Sequence, residues 1–200
     1  AASLFAIGFP GLYVAIAAFH TEMLPTSFLL SIATARTGIV IPVALEVLLM
    51  EFQFELLKEA GIHLPGQLGG TIGIVGGLIV GQAAVEAGIV STIVVIVVSF
   101  TAIASFIVPN ESFGAVFRLL KFLFIVTAAI WGIYGYLLTF AALLFHLSQI
   151  ESFGVPYMLP SVCGENLNYD DKKDHYVRYP FAYMKKRPVF TREGRRIRKR

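Results

Sequence analysis

The chain has 200 residues, 56% of them hydrophobic and only 14% charged, with a formal net charge of +3. With a mean hydropathy of +0.75, this composition excludes an ordinary soluble domain and a disordered chain, and it points to a membrane assembly. Charge is segregated as well: up to Ile150 four Lys or Arg (Arg36, Lys58, Arg118, Lys121) stand against seven acids, while residues 151–200 hold twelve against six. We therefore divide the chain into a transmembrane helical domain, 1–150, and a polar, basic tail, 151–200.

In chain order, the first candidate span runs from Leu4 to Phe19 and is interrupted by Pro10-Gly11. The chain starts with Ala, and no basic stretch precedes this run, so it reads as the C-terminal part of something longer rather than as a signal peptide. From Pro42 to Ala60 the pattern turns amphipathic. Glu51, Glu55 and Glu59 are four apart and share one helix face. Such a helix is expected at the membrane interface or lining a wet vestibule, and its acidic row reads either as a solvated face or as a cation-attracting rim.

The most informative stretch follows, GGTIGIVGGLIVGQAAVEAG and then IVSTIVVIVVSFTAIASFIVP, in which Glu86 is the only ionisable side chain. Gly69, Gly73, Gly77 and Gly81 recur every fourth position along one helix stripe. In water such interior glycines are a penalty, whereas in a bilayer they let helices approach closely. Gly69 to Ala87 is long enough for a second span, Gly88 is its natural stop, and Ser91 or Thr92 caps a third span that ends before Pro109. A fourth is expected from Leu119 to Leu147 after a loop over Asn110–Phe117, with Arg118 and Lys121 snorkelling at its head. Trp131, Tyr134 and Tyr136 fall too deep in it for an aromatic belt and are read as packing residues.

The expected architecture is all-α, a polytopic membrane domain of about four spans plus one interfacial helix. Twelve basic residues after the last span predict a cytoplasmic C-terminus. Counting back places the start of the chain in the cytoplasm too, and Glu86 near the inner side, unless the amphipathic helix itself spans.

No catalytic constellation emerges. His20-Thr21-Glu22 lacks the second histidine of a zinc-protease helix, the other histidines are isolated, and the glycine ladder lacks phosphate-loop spacing. Asp170, Asp171 and Asp174 are spoiled as a cation loop by Lys172 and Lys173, and Cys163 is the single cysteine. No enzyme activity, metal or cofactor is expected. The basic end is assigned to anionic lipid or a protein partner rather than to nucleic acid.

A pore reading comes from the residues themselves. Val75 and Ile79 are candidate gate residues, with Gln82 and Glu86 one turn apart as a polar path, and a carboxylate ring there favours cations. Alternatively Glu86 only marks a helix end, and the glycine stripe is plain packing. No internal repeat of the kind transporters show is present.

The runs FHTEMLPTSFLLSIATARTGIVIPVALEVLLMEFQFELLKEAGIHLP, GGTIGIVGGLIVGQAAVEAGIVS, TAIASFIVPN, SFGVPYMLP and DHYVRYPFAYMKKRP resemble the membrane region of the A subunit of bacterial spore germinant receptors, the GerA-type germination proteins. The resemblance reaches to about Pro188, without the family's N-terminal soluble domain; the basic end beyond does not align. It implies a multi-pass protein of the spore inner membrane, working with a transporter-like B subunit and a lipoprotein C subunit. It further implies a homo-oligomer forming a gated cation channel that triggers germination. A relative that amplifies ion release without sensing nutrient, and a non-conducting scaffold coupling a sensor to another channel, remain alternatives.

Overall fold

The computed structural model describes residues 2–63, 68–106, 111–152, 155–158 and 180. These residues are helical apart from short links and a single two-residue strand pair. Two compact units divide the chain, Ala1–Phe140 and Ala141–Arg200.

The first unit opens with α1 (Ala2–Phe19), which runs unbroken through Pro10. The expected interruption is absent: Pro10 is buried, and a Cβ on Gly11 would stand 3.1 Å from the Phe124 backbone, so close packing holds the helix where its own hydrogen bond is lost. A 3₁₀ turn (Thr21–Met23) and α2 (Thr26–Ala35) lead to α3 (Val43–His63), whose first turn starts on Pro42. Then come α4 (Leu68–Glu86), α5 (Thr92–Phe106) and α6 (Glu111–Gln149).

The turn between α4 and α5 follows from its residues. Gly88 at φ +66° donates to Val85 O and Ile89 donates to Ala84 O, a Schellman stop that needs the left-handed glycine. Ser91 Oγ then accepts from Val94 N at 3.4 Å, capping α5.

Two expectations are corrected by packing. First, the acidic side of α3 is packed rather than solvated, while Leu45, Leu49, Phe52 and Leu56 keep an apolar stripe of the helix exposed. Val47 is fully buried in a core shared with Val14 of α1, Val94 and Val98 of α5, and Ile125 and Ala128 of α6. These neighbours cover one side of α3, and the stripe of Leu45, Leu49, Phe52 and Leu56 stays open. Second, the apolar stretch of α6 is not one straight rod. Gly132 has φ +62° and ψ −140° inside it, a conformation open almost only to glycine. Phe124 and Tyr136 touch with ring centroids 5.2 Å apart, and the Thr139 and Thr127 hydroxyls are 2.8 Å apart. Residues twelve apart in a straight helix stand about 18 Å apart, so the chain doubles back at Gly132. Glu111–Phe117, expected as loop, forms the first turns of α6.

By length and composition alone the segment Gly114–Gln149 is long and apolar enough to cross a membrane, and the reversal at Gly132 divides it into two arms; Leu4–Phe19, Thr26–Ala35 and Thr92–Ser105 are shorter apolar helices. The second unit contains the end of α6 and an antiparallel pair, β1 (Glu151–Ser152) with β2 (Val155–Pro156), Glu151 opposite Pro156. Tyr157 N donates to Ile150 O at 2.8 Å beside it. Cys163, the Asp170–Asp174 cluster and the basic end lie outside the described residues.

Candidate functional site

The polar chemistry of the first unit converges on α3. At its first turn Glu46, 0% exposed, accepts from Arg36 Nη2 at 3.0 Å and from the Ser91 backbone N–H at 2.9 Å. One carboxylate thus joins the end of α2 to the start of α5. Five residues on, Glu51 is also buried; its Oε2 lies 2.6 Å from Lys121 Nζ and its Oε1 accepts from the Thr101 hydroxyl at 2.7 Å. Lys121 Nζ also reaches Glu55 Oε2 at 3.4 Å. Arg118 Nη1 closes the series, 3.0 Å from Glu55 Oε1 and 2.8 Å from Glu59 Oε2. Beside it, Lys58 Nζ donates to Ser105 Oγ at 3.3 Å.

The geometry has a simple origin. Acids spaced by four on α3 and bases spaced by three on α6 each lie on one helix face, and the helices run antiparallel, Glu51 beside Lys121 and Glu59 beside Arg118. Charges this deep persist only when matched, because an unpaired carboxylate in a low-dielectric interior is expensive. Arg118 and Lys121 therefore do not snorkel; α3 offers them a nearer counter-charge. The recess among Glu55, Ser105, Arg118 and Lys121 has a volume of about 20 Å³, room for one water and too small for a conduit.

The row Glu51, Glu55 and Glu59 thus sits in ion pairs within one chain, and only Glu59, its side chain 52% exposed, reaches the surface substantially. Sequence reasoning grouped these three but missed Glu46, Arg36 and Thr101. Glu46 stands five residues before Glu51, off the four-residue rhythm, and its partners are on other helices.

The α4 helix presents two faces. A Cβ on Gly77 would meet the Phe54 ring at 3.1 Å, one on Gly76 the Leu57 side chain at 3.1 Å, and one on Gly81 the Val95 side chain at 3.4 Å. This stripe packs on α3 and α5. Ile79, Gln82 and Glu86 lie on another stripe, at spacings of three and four, and all three are exposed, Ile79 by 58%. Among the described residues no ion pair reaches Glu86. The surroundings of Gly69, Gly73 and Val75 lie outside the described residues.

The family model described as Bacillus/Clostridium GerA spore germination protein matches residues 1–190. Spore germination protein GerLA of Bacillus cereus is 41% identical over 187 residues, covering 94% of this chain and 37% of its own length. Spore germination protein A1 of Bacillus subtilis is 46% identical over 160 residues, covering 80% of this chain and 33% of its own length. Spore germination protein KA of the same organism is 42% identical over 189 residues, 94% of this chain and 34% of its own. The chain spans roughly a third of the length of these curated relatives. No solved structure matches it.

Proposed function

Because the chain belongs to the Bacillus/Clostridium GerA spore germination protein family, we propose that it is the membrane part of a germinant-receptor A subunit. In this reading it is a multi-pass protein of the spore inner membrane with a cytoplasmic tail. Copies assemble into a gated cation channel alongside a transporter-like B subunit and a lipoprotein C subunit, and opening triggers germination.

The observation that carries the channel reading is the division of labour on α4. Gly76, Gly77 and Gly81 pack on α3 and α5, which leaves Ile79, Gln82 and Glu86 facing outward. A carboxylate and an amide on the outer face of an apolar helix are costly against lipid and reasonable against water or a second copy. Copies arranged around α4 form a path with Ile79 and Val75 as the apolar constriction and Gln82 and Glu86 as the polar mouth. Among the described residues Arg36, Arg118 and Lys121 pair with the acids of α3 and not with Glu86. Glu59 is the one member of the acidic row left with enough exposure to act on a vestibule.

Reconstitution of the complete protein with its partners in liposomes tests this. Monovalent cation flux is expected, and Glu86→Gln is expected to lower the preference for cations over anions. Absence of flux, or a Glu86→Gln protein with unchanged conductance and selectivity, removes the pore assignment and leaves a scaffold role.

A further inference from the structure

We propose that the reversal of α6 at Gly132 is an interfacial anchor, with Trp131 and Tyr134 seated among lipid headgroups at one end of the bundle; this rests on the membrane reading above. Trp131 is 59% exposed and Tyr134 76%, while the other tyrosines described in the first unit, Tyr13 and Tyr136, are partly buried. On either side the exposed residues are purely apolar: Ile130 at 57%, Leu137 at 55% and Leu138 at 66%. Amphipathic rings on exposed positions next to an apolar band are the pattern of a membrane–water boundary.

The backbone argues the same way. At Gly132 the helical hydrogen-bond ladder breaks, so the last carbonyls of one arm and the first N–H groups of the next lose their helical partners. Irregular backbone exposed to hydrocarbon is not tolerated, because nothing there satisfies those groups. Gly132 itself is shielded by Phe19 and His20, at 3.0–3.1 Å from where a Cβ would stand, yet its neighbours Trp131 and Tyr134 lie open. Protein thus covers the break at Gly132 itself, and the open rings on either side of it are what place the turn at a wet boundary.

A second feature marks the same level independently. α1 ends at Phe19, the chain leaves it through His20, and Thr21, Glu22 and Met23 are exposed in the following turn. The His20 ring lies 6.3 Å from that of Tyr134. The α6 reversal, the end of α1 and an exposed carboxylate therefore share one end of the unit with the aromatic pair.

Trp131 is the chain's only tryptophan, so its depth is directly measurable. The full-length protein is reconstituted in phosphatidylcholine–phosphatidylglycerol vesicles containing lipids brominated either near the headgroup or near the chain end. A Trp131→Phe protein serves as blank, so the difference spectrum isolates Trp131. The larger loss of emission is expected with bromine near the headgroup. A larger loss with bromine near the chain end overturns the anchor while leaving membrane residence intact. No loss with either lipid overturns the anchor as well, and whether the protein floats with the vesicles decides the membrane reading separately.

Discussion

At the scale of single residues, Lys121 is the hub of the buried charges. Glu51 beside it is 1% exposed, so removing the ammonium leaves a carboxylate without counter-charge and away from water. Lys121→Met is expected to cost about 3–5 kcal/mol of stability, read as chemical unfolding in detergent. Adding Glu51→Gln is expected to recover most of that loss, a non-additivity that independent sites do not show. Arg118→Met faces the half-exposed Glu59 and is expected to cost less, on the order of 1 kcal/mol. The four-residue rhythm of Glu51, Glu55 and Glu59 was legible in the sequence; their partners were not. Arg118 lies 59 residues from Glu59, and a base at the head of an apolar helix is satisfied equally well by snorkelling until packing brings an acid within reach.

At the scale of elements, the glycine helix behaves as two surfaces. Gly77 lies where any Cβ presses on the Phe54 ring, whereas Gly81 leaves ordinary contact distance to Val95. Gly77→Val is therefore expected to destabilise by about 1–3 kcal/mol, and Gly81→Ala to be neutral or stabilising by up to about 1 kcal/mol through helix propensity. Melting midpoints of the two variants in one detergent check the contrast; equal effects would mean that α4 does not pack on α3 through Gly77. The α4 and α5 boundaries were readable because Gly88 and Ser91 are local signals. The reversal in α6 was not, since the glycines at 132 and 135 sit in an apolar run whose composition suits one long helix as well as two arms. Choosing between them takes the contacts of Phe124 with Tyr136 and of Gly132 with Phe19.

At the scale of the whole first unit, the position of α3 sets the topology. A helix that packs along its length on α1, α4, α5 and α6 and exposes only the stripe of Leu45, Leu49, Phe52 and Leu56 runs along the bundle, so its two ends belong to opposite ends of that bundle. Val40, 95% exposed before α3, and the exposed Ala60 near its end report on this. In a Cys163→Ser background, Val40→Cys and Ala60→Cys are expected to react with an impermeant maleimide from opposite sides of the membrane. Labelling from the same side would return α3 to the interface. With the tail taken as cytoplasmic, a crossing α3 moves only the start of the chain to the other side; Glu86 is placed by the passes after it, and two crossing arms of α6 add one such pass and move Glu86 to the opposite side.

The amino-acid sequence by itself determined that this is an apolar, helix-forming chain with a basic end, where α4 stops and α5 starts, and which family it resembles. Those properties follow from composition, from local capping chemistry and from long matched runs, none of which depends on distant contacts. Only the tertiary structure decided that the acidic side of α3 is packed, that its acids neutralise Arg36, Arg118 and Lys121, and that α6 turns back at Gly132. Each of these is settled by which partner desolvates a charge or a backbone group, and that partner lies on another helix.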